Sequence, residues 1–188
     1  AKDYSNAFTF GNNAGLVNGD NGLVINANKD GAITGGTLTN VEKTNNVGSY
    51  EWNGTASGVD NLNTNYNVQI NAGKSEVTKA NLVVNLNDVV RTYGNATITS
   101  GGYSAGNITG LVNGDSYNAG DVKVTVTGDG ALTGNPEGKV TNNAGDYTWS
   151  GTATTDNAGL GKNYNLVVKG NGKSTVEKAN LVVNLNEI

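Results

Sequence analysis

The chain has 188 residues, a formal charge of −4 from 12 Lys and Arg against 16 Asp and Glu, and no His, Cys or Met. This composition excludes disulfides, thiolate zinc sites and any nucleophile paired with histidine. The sparse cations argue against nucleic acid as a partner, and no apolar run approaches the ~18 residues of a membrane helix.

The abundant Asn and the 28 Gly punctuate short apolar alternations, which is the pattern of an all-β protein with many tight turns rather than of a polar disordered tract. In chain order, Leu23, Ile25 and Ala27 mark the inward face of a first strand, and Asp30-Gly31 is a hairpin-turn signal. Tyr50 and Trp52 share one face of the next strand. The stretch Lys74–Asn95 has no Pro, no Gly before Gly94 and many β-branched residues, so it reads as extended structure and not as a flexible linker. Within it Leu82, Val84 and Leu86 lie on one face. The segment Asn107–Val112 is weakly helical, one turn at most. Val122, Val124 and Val126 define another strand, Asp129-Gly130 a second hairpin signal, and Tyr147 and Trp149 a further aromatic face.

Those segments occur twice. Gly15-Leu16-Val17-Asn18-Gly19-Asp20 returns at Gly110–Asp115, Asp30–Gly35 at Asp129–Gly134, and Gly48–Ala56 at Gly145–Ala153. Asn65–Val68 returns at Asn163–Leu166, and Tyr4-Ser5-Asn6 at Tyr93-Gly94-Asn95. The nine residues KANLVVNLN close both halves, at Lys79–Asn87 and Lys178–Asn186. Length changes are confined to the gaps between these blocks, as expected of a β scaffold with tolerant loops. Two tandem repeats are therefore expected, residues 1–88 and 89–188, elongated and end to end. Asn87, Asp88, Val89 and Val90 would form a stiff inter-repeat joint. On this reading Lys178–Ile188 leads toward a following unit, and a first residue other than Met marks a fragment of a longer protein. No signal peptide opens the chain.

The order Tyr-Gly, Gly-Leu-Val-Asn-Gly-Asp, Asn-Ala-Gly-Asp-Tyr-Thr-Trp, Asn-Tyr-Asn-Leu-Val-Val and Lys-Ala-Asn-Leu-Val-Val resembles the MBG and YDG repeats of large bacterial surface proteins of the filamentous-haemagglutinin and autotransporter type. The resemblance spans both halves. It implies a β-grasp-like module, strung in tandem on an extracellular adhesin at the bacterial surface, whose partners are neighbouring repeats of the same chain. The sequence departs from those repeats in having Lys-Ala-Asn where Pro is often found, and Gly94 or Ser5 after the tyrosine.

The Tyr/Trp pairs could stack a sugar, but units of this size have few large side chains with which to build a core, so burial is expected. Tyr103 and Tyr117 lie in an insertion of the second half and are the candidate contacts for a host glycan or protein. Asp20, Asp30, Asp115 and Asp129 sit in Asn/Gly turns, where turn chemistry accounts for them. Calcium would require about six to eight oxygen ligands, so neither metal nor cofactor is expected. A hydrolase would need a carboxylate pair such as Asp146 with Asp156 or Glu51 with Asp60, and a Lys–Asn crosslink would need a buried lysine. Three Asn-x-Ser/Thr sequons, at Asn53, Asn95 and Asn107, arise readily in so Asn-rich a chain. The expected protein is a non-enzymatic, monomeric stalk segment, without membrane insertion, or alternatively an adhesive module.

Overall fold

Residues 15–30, 46–133 and 142–187 are described by the computed structural model, and the period-2 segments within them are strands. The chain divides into two compact units, Ala1–Lys79 and Ala80–Ile188. It is mostly β, as the alternation predicts, with two α-helices, of 4 and 6 residues, among the described residues. Asn107–Val112, read from sequence as weakly helical, lies partly in a strand: residues 105–109 pair with Ala80–Leu86, and that partnership overrides the local preference. The expected features at Tyr4–Asn6, at Gly31 and at residues 134–141 lie outside the described residues.

The first unit contains β1 (Val24–Asp30), β2 (Gly48–Ser57), the one-turn α1 (Leu62–Asn65) and β3 (Gly73–Val77). Its strands form an antiparallel sheet in the order β1-β2-β3. The second unit contains β4 (Ala80–Leu86), β5 (Val89–Thr92), β6 (Ser100–Gly101), β7 (Ala105–Thr109) and β8 (Val122–Asp129). A 3-10 turn at Gly130–Leu132, β9 (Gly145–Thr155), α2 (Ala158–Asn163), β10 (Tyr164–Val168) and β11 (Gly172–Glu177) complete it. These strands make a five-stranded sheet, β6-β5-β11-β9-β8, and a three-stranded one, β10-β4-β7. The stretch Lys74–Asn95 is thus extended, but divided into three strands.

The duplication extends to register. Asp30 pairs with Trp52 as Asp129 pairs with Trp149, and Tyr50 faces Ser75 as Tyr147 faces Ser174. Each first hairpin carries an irregularity at the same place, between Ala27 and Lys29 and between Val126 and Gly128. The Asp-Gly signal does not make a two-residue turn. Asp129 ends β8, its side chain accepts a hydrogen bond from the Ala131 N–H, and the chain turns into a 3-10 segment on the long path to β9. Asp and Gly here cap a helix-like turn, which the same pair of residues serves equally well.

The principal core joins Leu82 and Val84 of β4 to Val122, Leu160 and Tyr164, all buried, with Ala105, Ile108, Leu111 and Leu166 packed around them. Leu160 is delivered by α2, whose N-terminus is capped by Asn157 accepting from the Gly159 and Leu160 N–H groups. Of the aromatic pairs expected to be buried, Trp149 is fully buried and Tyr50, Trp52 and Tyr147 are half-buried; the Trp149 indole N–H donates to the Asn87 carbonyl at 2.8 Å. Gly172 lies under that ring: a Cβ there would come 2.1 Å from Trp149 Nε1, and one at Gly73 would come 2.1 Å from Trp52 Nε1. Gly172→Ala should therefore displace the indole and break its bond to Asn87, lowering stability by about 2 kcal/mol. Urea denaturation followed by Trp149 fluorescence measures this, and an unchanged midpoint would show that the ring accommodates the methyl group.

Candidate functional site

The chain's single arginine is the most deeply buried charge among the described residues. β5 alternates so that Val89 and Arg91 face inward, which carries the guanidinium into the second unit beneath β11. Arg91 Nη2 pairs with Asp129 Oδ2 at 2.9 Å, with side chains only 1% and 3% exposed. Arg91 Nη1 donates to Ser174 Oγ at 2.8 Å, Nε donates to the Ala96 carbonyl at 3.2 Å, and Nη2 also donates to the Tyr103 hydroxyl. Tyr103 and Ser174 in turn donate to Asp129 Oδ2, at 2.6 and 3.2 Å. A charge in this environment persists only when paired and hydrogen-bonded, and here the cluster is closed on itself.

Tyr103, expected as an exposed contact residue, is therefore a member of this internal cluster. Its ring meets Trp149 edge-on, with centroids 4.9 Å apart and planes at 68°, and the Arg91 guanidinium carbon lies 5.2 Å from its centroid. Sequence reading placed it in an insertion and could not see that the insertion folds over β5. Tyr117, the other candidate, is exposed.

Burial, followed by the bond to Asp129, pushes the Tyr103 phenol up to about 12. The folded chain then holds a proton that the unfolded chain loses near pH 10, so the contribution is complete below pH 10 and falls as pH rises toward about 12. An absorbance titration of the phenolates should show Tyr103 among the tyrosines that ionise late, and Tyr103→Phe should remove one phenol from that late step. A titration unchanged by the substitution would assign the late step elsewhere.

A second constellation is present in both units. In Val17-Asn18-Gly19-Asp20 and Val112-Asn113-Gly114-Asp115 the two central residues have positive φ, 57° and 79° in the first and 57° and 74° in the second. Asn-Gly adopts that conformation at low cost. The turn closes by Asp20 N–H to Val17 O at 3.1 Å and by Asp115 N–H to Val112 O at 3.0 Å. A tyrosine hydroxyl then locks each turn. Tyr66 donates to Asp20 Oδ2 at 2.5 Å and Tyr164 to Asp115 Oδ2 at 2.7 Å, while the Val17 and Val112 N–H groups donate to the phenol oxygens. Both phenols are raised, Tyr66 chiefly by its bond to Asp20 and Tyr164 chiefly by burial.

These bonds occupy two of the carboxylates considered for calcium, and Asp129 is occupied by Arg91. Among the described residues no group of three acidic side chains is gathered as a metal site would need. Of the two carboxylate pairs considered for hydrolysis, the first is held by lysines: Asp146 by Lys173 at 3.2 Å and by the Thr175 hydroxyl, and Asp156 by Lys123. The Asp146 carboxyl is held below its ordinary range, first by Thr175 and then by Lys173, which opposes the proton-holding role of a general acid. Every lysine whose side chain is described is exposed, whereas a Lys–Asn crosslink would require a buried one.

The expected joint residues occupy a different place. Ala80–Leu86 lies within the second unit, parallel to β10 and antiparallel to β7. Asn87 bonds Ser104 through its N–H at 3.1 Å and its side chain at 2.8 Å, and its carbonyl receives Trp149. Asp88 accepts from the Lys173 N–H, Val89 is buried, and Val90 pairs with Thr175 in the parallel β5–β11 ladder. The division of the chain thus falls between Lys79 and Ala80 instead of at 88/89. Long-range pairing decided this, since β4 fits the apolar slot between β10 and β7. Comparison with known proteins finds no matching family model, curated protein or solved structure.

Proposed function

We propose that this chain is a load-bearing spacer: tandem structural modules of a secreted bacterial surface adhesin that hold a distal binding region away from the cell. The surface-adhesin part of the reading rests on the ordered motifs that resemble MBG and YDG repeats. The mechanical part rests on one observation, the parallel pairing of β5 with β11, in which Val89–Thr92 lies beside Ser174–Glu177. The chain enters the second unit through β4 and β5 and leaves it after β11. A pull on its two ends slides these parallel strands in opposite directions, so the evenly spaced bonds of the ladder are loaded together in shear. The buried Arg91–Asp129 pair, with Ser174, pins the same two strands to β8.

Because the chain lacks cysteine, force can be applied at chosen sites. Handles at Asp88→Cys and Lys178→Cys load the ladder in shear, and handles at the register partners Thr92→Cys and Glu177→Cys peel it bond by bond. Rupture force should be markedly higher in the first geometry, since forced unfolding is set by the unfolding barrier. Equal forces in both geometries would overturn the mechanical reading. For the adhesive alternative, Tyr117 is exposed and Tyr103 is half-buried with its hydroxyl engaged by Arg91 and Asp129.

A further inference from the structure

The nine residues KANLVVNLN stand in two environments. At Ala80–Leu86 they are a strand, with Leu82 and Val84 at 0% exposure, paired parallel to β10 in the register Tyr164–Ala80, Leu166–Leu82 and Val168–Val84. At 179–186 the same residues belong to no sheet, and Leu181 and Leu185 are 88% and 89% exposed, with Val182 and Val183 also bare. An unpaired, exposed apolar segment of this kind is a template for pairing with another sheet edge.

The first unit has the complementary feature. Its counterpart of β10 is Tyr66–Ile70, which belongs to no sheet among the described residues and leaves Val68 and Ile70 exposed. Tyr66 is half-buried where Tyr164 is fully buried, and Leu23 is half-buried where its counterpart Val122 is buried. The tyrosine-locked turn, the helix carrying Leu62 and the β1–β2 register are all in place. In the second unit the corresponding segment has a partner, β4, lying against β10.

We propose that residues 179–186 are a donor strand that adds in parallel to Tyr66–Ile70 of a second copy of this chain. The register is that of the second unit: Ala179 beside Tyr66, Leu181 beside Val68 and Val183 beside Ile70. The inward face of the donor, Leu181 and Val183, covers Tyr66, Leu62 and Leu23. Main-chain bonds supply affinity and the alternate side chains supply register, as in other strand additions. Donor and acceptor are different surfaces of one chain, so the contact is head-to-tail and extends into a linear series instead of closing as a symmetric dimer. This departs from the monomer expected from sequence, and it stands independently of the mechanical reading, because it rests on the duplicated pairing alone.

The test is sedimentation of the 188-residue chain over a concentration series, with hydrogen exchange at each step. Growth into oligomers is expected, with protection appearing together at 179–186 and 66–70. The synthetic peptide KANLVVNLN in excess should cap the series at single chains and protect 66–70 by itself. Leu181→Asp with Val183→Asp, at sites bare in the single chain, should leave the fold intact and weaken assembly by roughly a hundredfold or more. A chain that stays monomeric with 179–186 exchanging freely overturns the proposal. So does a monomer in which 179–186 is protected by folding back, or assembly that survives the double substitution.

Discussion

Replacing Arg91 with Ala will lower the stability of the second unit by about 3–5 kcal/mol, because it leaves the Asp129 carboxylate buried at 3% exposure without its cation. Asp129→Ala will do the same from the other side, stranding a guanidinium that keeps Ser174, Tyr103 and the Ala96 carbonyl but has no counter-charge. The two losses will not add. A double replacement, Arg91→Met with Asp129→Leu, removes both charges together and should recover most of the stability, since well-packed apolar residues often equal or exceed a buried ion pair. Denaturation in a Trp52→Phe background, where Trp149 alone reports, measures each corner of the cycle. Additive losses would mean that the two groups act independently, and the cluster would then be a set of separate bonds rather than one unit.

The second large effect compares the same substitution in the two copies of one nonapeptide. Leu82→Ala empties a fully buried site among Val84, Val122, Leu160 and Tyr164 and should cost about 2–5 kcal/mol. Leu181→Ala, at 88% exposure, should change the stability of the dilute single chain by no more than about 0.5 kcal/mol. Urea midpoints for both variants decide it. Equal losses would show that the C-terminal copy is packed within its own chain in solution, which would also remove the free donor strand.

Much of the fold was legible from periodicity. The inward faces Leu23–Ile25–Ala27 and Leu82–Val84, the burial of Trp149 and the all-β class follow from residue alternation and from the scarcity of large side chains. The repeat was legible because its blocks recur in order, and the Asn-Gly turns because few other dipeptides accept two successive positive φ angles. The tyrosine that locks each turn was recognisable only as part of a repeated block. Its partner lies 46 residues away in the first unit and 49 in the second, and no local pattern announces it.

The Arg91 cluster was out of reach for the same reason. Its members come from β5, the end of β8, β11 and the segment before β7, and no local pattern joins them. One signal was available: the only arginine of the chain falls on the inward side of an alternation with Val89, and an ionised group there must have a buried partner. Asp129 was present in the sequence but read as a turn residue, a role it also fills.

The amino-acid order by itself determined where strands form, which of their faces are apolar, where the chain turns and that the unit occurs twice. All of these depend on residues within a few positions of one another. Tertiary structure alone decided that Ala80–Leu86 belongs with the unit that follows it, that Tyr103 turns inward, and that one copy of KANLVVNLN is buried while its twin is bare. A strand's backbone bonds and apolar face are satisfied only by a neighbour from elsewhere in the chain, so identical residues differ in fate according to whether that neighbour is present.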